Sequence, residues 1–137
     1  MRPRIALLLG VMSMGVVTTR AQTTQSRPRD PEWNAPAQAS AKTNPLAGRP
    51  ETAAGGRKLF EQRCSTCHAR DGHGSDRAPD ITTADVQMQT DGAIFWKISG
   101  GNTRAGMPAF SSLPELQRWQ LVMHVRWLGW EAATPDR

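Results

Sequence analysis

Both cysteines of the chain stand in one five-residue run, Cys64-Ser65-Thr66-Cys67-His68. No other feature constrains so strongly what the surrounding residues can fold into. The pattern C-x-x-C-H is the attachment signature of a c-type haem. Two thiols one helical turn apart can each add to one vinyl group of the same porphyrin. The histidine directly after the second thiol then lies where it can bind the iron. A haem held this way is an apolar centre that cannot dissociate, which suits a domain too small to build a large core of its own.

Two other chemistries use cysteines at this spacing. A thiol–disulfide redox site expects a βαβ pattern, and no alternating strand pattern is present. A structural zinc site wants four ligands, and no second C-x-x-C accompanies Cys64, Cys67, His68, His73 and His124. The haem reading stands above both.

A six-coordinate iron needs a second axial ligand. His73 is five residues from His68, too close to reach the opposite haem face. Met107 lies in Gly106-Met107-Pro108, a loop 39 residues after His68. There the glycine permits close backbone approach and the proline fixes φ and removes a donor. Met88 and Met123 fall in stretches that read as helical and are assigned to packing. The expected metal ligands are therefore His68 and Met107.

The rest of the chain divides into four parts. Arg2 and Arg4 precede Ile5 to Val17, an apolar run of 13 residues, too short for a bilayer span of roughly 20. Thr19-Arg20-Ala21 suits a signal peptidase, so residues 1–21 read as a signal peptide and the protein as exported to the periplasm. An uncleaved membrane anchor is the alternative. Residues 22–50 hold five prolines among Gln, Thr, Ser and Ala and read as a linker, with Trp33 and Asn44-Pro45-Leu46 as exceptions able to touch the domain. Residues 51–131 form the domain and 132–137 a tail. The net charge of +5 resides in the first 50 residues, since ten basic and ten acidic side chains balance from 51 onward. A nucleic-acid-binding face and strong electrostatic steering are therefore not expected, although a local patch at the haem edge could steer.

The domain reads as all-α. Thr52 can cap a first helix ending at Arg63, with Leu59 and Phe60 on its apolar face. Gly55 and Gly56 there suggest a close helix crossing. A second helix spans Asp91 to Ser99, with Ile94, Phe95 and Ile98 on one side, and Gly100-Gly101 ends it. The last begins at Ser112-Leu113-Pro114-Glu115, where Ser112 and Glu115 have capping-box spacing, and continues to about Trp130.

From about Ala53 to Leu128 the chain resembles the small, monohaem class I cytochromes c. The resemblance is carried by Gly56-Arg57-Lys58-Leu59-Phe60, Cys64-Ser65-Thr66-Cys67-His68, Asp71-Gly72-His73-Gly74 and Ala78-Pro79-Asp80-Ile81, and then by Gly106-Met107-Pro108-Ala109-Phe110 and Arg118-Trp119-Gln120-Leu121-Val122. It implies three to five helices wrapped round one covalently bound haem, with the first and last helices crossing. Gly56 and Phe60 would meet the last helix at His124, which replaces the family's usual tyrosine and is read as structural. Pro79 would accept the Nδ1–H of the proximal His68 through its carbonyl. Trp96, Trp119 and Asn102 become candidates to line the haem or reach its propionates. Each tryptophan is equally suited to plain core.

With His68 and Met107 both on iron, no site is left for a substrate. The expected function is a single-electron carrier between periplasmic redox proteins, a monomer without a membrane span in its mature form. Alternatives are the haem subunit of a dehydrogenase or oxidase complex, or an open-site haem enzyme or gas sensor.

Overall fold

The computed structural model describes residues 26–134; the signal expected at 1–21 lies outside them. Among the described residues there are six α-helices and no strands. Helix α1 is Ala37–Ser40, α2 Ala53–Arg63, α3 Ser65–His68, α4 Ala84–Gln87, α5 Asp91–Gly100 and α6 Glu115–Ala133. None is long and apolar enough to cross a membrane. Five of the six fall in the expected domain, and α1 lies in the segment read as a linker.

Helices α2 and α6 cross closely because two glycines let them. A Cβ on Gly56 would strike the backbone carbonyl of Gln120, and one on Gly55 would press the Gln120 side chain. Beside this contact Phe60 meets His124 edge to face, ring centroids 5.0 Å apart. His124 is only 2% exposed, which fits its structural reading. A second cluster gathers Leu46, Ile94, Phe95, Trp119, Val122 and Val125. In it Trp119 stacks on Phe95 at 4.0 Å. The Arg126 guanidinium fixes α6 to the start of α5, donating to Asp91 Oδ1 at 2.8 Å and to the carbonyls of Gln87 and Gln89.

Two helix starts differ in detail from expectation. Thr52 stands at the N-cap of α2, but its hydroxyl donates to the Arg49 carbonyl at 2.7 Å and caps nothing, because a 3₁₀ turn, Pro50–Thr52, leads straight into the helix. The cap of α5 is Thr90, which accepts from the Ala93 amide at 3.1 Å. The capping box does not form. Helix α6 starts at Glu115, whose carboxylate reaches outward to Lys42 Nζ at 2.7 Å instead of back to Ser112. At its other end α6 runs to Ala133, past the expected stop.

The largest departure is the arm formed by residues 26–50, which packs along the domain instead of leading freely into it. Leu46 enters the core at 6% exposure and Asn44 is buried at 5%. The Asn44 amide satisfies itself inside, accepting from Leu46 N and donating to Asp91 Oδ2 at 2.7 Å. Thr90 Oγ1 donates to the Ser40 carbonyl, and Gly92 leaves room for α1, since a Cβ there would strike the Ala39 carbonyl. A few anchoring side chains and backbone bonds hold a segment whose average composition is that of a linker.

Candidate haem crevice

The five-residue motif spans the end of one helix turn and the whole of the next. Cys64 closes α2, accepting no break in the chain, since its amide still bonds the Phe60 carbonyl at 2.8 Å. Helix α3 then carries Cys67 and His68. Ala69 follows with φ +59°, a conformation that costs a non-glycine residue about 1–3 kcal/mol. It turns the chain out of α3 at once, into a loop that folds back under the histidine. The loop is closed by Gly74 N to the His68 carbonyl, by Ser75 Oγ to the Cys67 carbonyl at 2.6 Å and by Ile81 N to the Gly72 carbonyl. This return brings the Pro79 carbonyl to 3.1 Å from His68 Nδ1. A carbonyl can only accept, so Nδ1 carries the proton and Nε2 keeps its lone pair. That is the tautomer a metal requires, with its ring orientation fixed.

Cys64, Cys67, His68, Pro79, Asn102 and Met107 all line one cavity of about 370 Å³. Phe60, Ile81, Ile94, Ile98, Leu121 and Val125 supply apolar wall. Met107 is set by a short two-sided clamp. Its amide donates to the Asn102 carbonyl and the Asn102 amide donates to its own, both at 2.9 Å. The turn between them, Thr103–Ala105, reverses through Gly106 at φ +87°, a backbone state that favours glycine.

The electrostatics separate a haem site from a reactive thiol pair. Burial pushes the Cys64 thiol up to about 11, with Cys67 adding to it, whereas a redox-active thiol is held low. Burial also lowers the His68 pKa, against the bond to Pro79. Among the described residues, no group of three or more His, Cys, Asp and Glu side chains is placed to hold a metal ion. His73 pairs with Asp80 at 3.1 Å, and His124 is engaged in the helix crossing. A paired-thiol, apolar-walled cavity with one presented imidazole fits a covalently held haem and not a zinc site.

Not every candidate reaches the cavity. Trp96 is half-buried and outside its lining, and Trp119 is spent in the stack with Phe95. Both sit on faces of their helices that the core or solvent claims. Met123 packs against the core and lies 3.3 Å from Asn44 Nδ2. Met88 does not pack: it is 78% exposed just past the single turn of α4, too short a helix to bury it.

The arm supplies the lining residues that sequence reasoning missed. Arg27, Arg29, Asp30 and Trp33 come from it, joined by Arg63, Arg77, Lys97 and Arg104. Lys97 Nζ lies 4.9 Å from the Trp33 ring, and burial lowers its pKa. The balanced charge of the domain thus conceals a cavity whose charged lining is six cations to one carboxylate. The lone tryptophan among close-set charges at 27–33 was the available signal.

The family described as cytochrome c oxidase, cbb3-type, subunit III matches residues 51–125, more than half of the chain. No curated protein matches it.

Proposed function

The chain belongs to the family of cytochrome c oxidase, cbb3-type, subunit III, and on that premise we propose that it is an exported single-electron carrier with His68 and Met107 as axial ligands of one haem. As a member of this family it is a haem-binding, electron-transfer cytochrome. The observation that carries the finer reading is the Pro79 carbonyl 3.1 Å from His68 Nδ1, in the cavity that Cys64, Cys67 and Met107 also line.

When bound, the haem supplies reversible one-electron oxidation and reduction at iron. Cys64 and Cys67 would hold it through two thioethers. His68 offers Nε2, and the carbonyl of Pro79 raises the basicity of that nitrogen through Nδ1. Met107 offers a soft thioether, which favours the ferrous state and a high potential. The apolar wall excludes water, so the change of charge on electron transfer meets little solvent reorganisation. The exposed cations of the lining, Arg27, Arg63, Arg77 and Arg104, suit a redox partner with an acidic docking face.

Denaturing mass spectrometry of protein matured in a competent host should show one haem retained per chain. Bare polypeptide there would remove the covalent reading. Met107→His should keep that mass increment and lower the reduction potential, because nitrogen stabilises ferric iron better than sulfur does. Ready carbon monoxide binding by the wild-type ferrous protein would instead favour an open-site enzyme or sensor.

The family description favours one second reading, service as the haem subunit of an oxidase complex. Its mark would be co-purification with larger redox subunits in stoichiometric amount.

A further inference from the structure

The turn that carries Met107 is held from outside as well as from within. Within it, Asn102 Oδ1 accepts from the Ala105 amide at 3.2 Å. The other end of the same side chain, Nδ2, donates to Asp30 Oδ2 at 3.1 Å. That bond is the leading cause of the lowered Asp30 pKa. Three residues earlier, Arg27 Nη1 donates to the Ala105 carbonyl at 3.1 Å. The Arg27 amide meanwhile donates to the Ser75 carbonyl at 2.7 Å, on the loop that returns under His68. One short piece of the arm therefore bridges the loop behind the proximal histidine and the turn behind Met107.

We propose that Asp30 and Arg27 are positioning residues for Met107, fixing the Asn102–Met107 turn so that its sulfur stays at the iron. The inference rests on Met107 as the second axial ligand. Neither residue binds iron. Asp30 acts through the Asn102 amide, whose other face pins Ala105, and Arg27 acts through the Ala105 carbonyl. Without them the turn keeps its internal bonds but loses both ties to the arm. The sulfur-off state then gains population, and an added ligand that needs that state binds more tightly in proportion.

The test is imidazole titration of the ferric holoprotein, followed optically, with thermal unfolding measured alongside. Asp30→Ala removes the acceptor for Asn102 Nδ2 and should raise imidazole affinity about fivefold. Asp30→Asn keeps an acceptor for Asn102 Nδ2 and should return to near the wild-type value. Arg27→Ala should raise affinity as well. Lys42→Ala breaks a bond of the same arm to Glu115, remote from the turn, and should lower the unfolding midpoint without changing imidazole affinity. Met107→Ala marks the upper limit. If Met107→Ala binds imidazole tightly while Asp30→Ala matches wild type, the positioning role is wrong and the ligand assignment stands. If Asp30→Asn behaves as Asp30→Ala, the hydrogen bond is not the device and the proposal fails. If wild type already binds as tightly as Met107→Ala, the ligand assignment fails and takes this inference with it.

Discussion

The α2–α6 crossing and the cavity beside it are built on opposite terms. At the crossing, backbone meets backbone through Gly56, and Phe60, His124, Leu121 and Leu128 close the space with side chains from two regular helices. At the cavity, the walls are largely loops: the return from Ala69 to Ile81, the Asn102–Met107 turn and the arm. The return loop and the turn are closed by hydrogen bonds between residues near in sequence, and the arm is tied to both from far away in sequence. The first region is complete with its own atoms. The second is shaped around a group that the chain alone does not supply. The contrast teaches that the fold's rigidity and its chemistry are stored in different kinds of contact, and that mutations should separate them.

The largest effect should come from the crossing. A Cβ at Gly56 has a backbone carbonyl in its place, which cannot swing away as a side chain would. Gly56→Ala should cost about 3 kcal/mol, at the upper end of overpacking losses, measured by denaturant unfolding of the holoprotein. The haem should remain attached, because the thioethers are untouched. Stability equal to wild type would mean that the helices can part freely.

Leu46→Ala tests whether the arm belongs to the fold. Its side chain is 6% exposed within the core cluster, and truncation of such a leucine costs about 2–5 kcal/mol. Arm and crossing share α6, so the lower half of that range is expected. A loss within measurement error would return residues 26–50 to the status of a tether.

The smallest effect at neutral pH sits at His124, inside the crossing. Burial, then the nearby charge of Arg57, pushes its pKa down to about 4, with Glu61 opposing. The unfolded histidine takes a proton below about 6.5, while the folded one resists until about 4. Stability is therefore lost as pH falls through that window and is present in full above it. His124→Phe keeps a ring against Phe60 and should flatten this part of the stability–pH curve. An unchanged slope would place the acid sensitivity elsewhere.

The crossing was legible in the sequence and the cavity only partly so. Gly55-Gly56 and Phe60 announce a close contact because helix periodicity and residue size act over one or two turns. Cys64, Cys67 and His68 are legible for the same reason: their spacing is local. Met107 stands out because glycine and proline flank it. Trp96 misleads, since the family resemblance makes it a candidate for lining until the helix face is known. Asp30 and Arg27 were invisible. Each is an ordinary charged residue in a proline-rich stretch, and its partner is defined only once the chain has folded. The failed capping box has a local cause: Glu115 had the right spacing to Ser112, but the helix starts at Glu115 itself with Pro114 as its cap, so Ser112 lies outside it.

The arm also reverses the order in which the chain is made. Arg27 meets Ala105 across 78 residues, Lys42 meets Glu115 across 73 and Asp30 meets Asn102 across 72. Contacts so distant close large loops, and that entropy is recovered only after both ends have somewhere to bind. The segment synthesised early thus docks in full only when the final third of the polypeptide is in place. Arg27, Arg29, Asp30 and Trp33 line the cavity, so that side of the crevice is complete only once the arm is in place. A wall that precedes both cysteines in the chain is then among the last to be set in place.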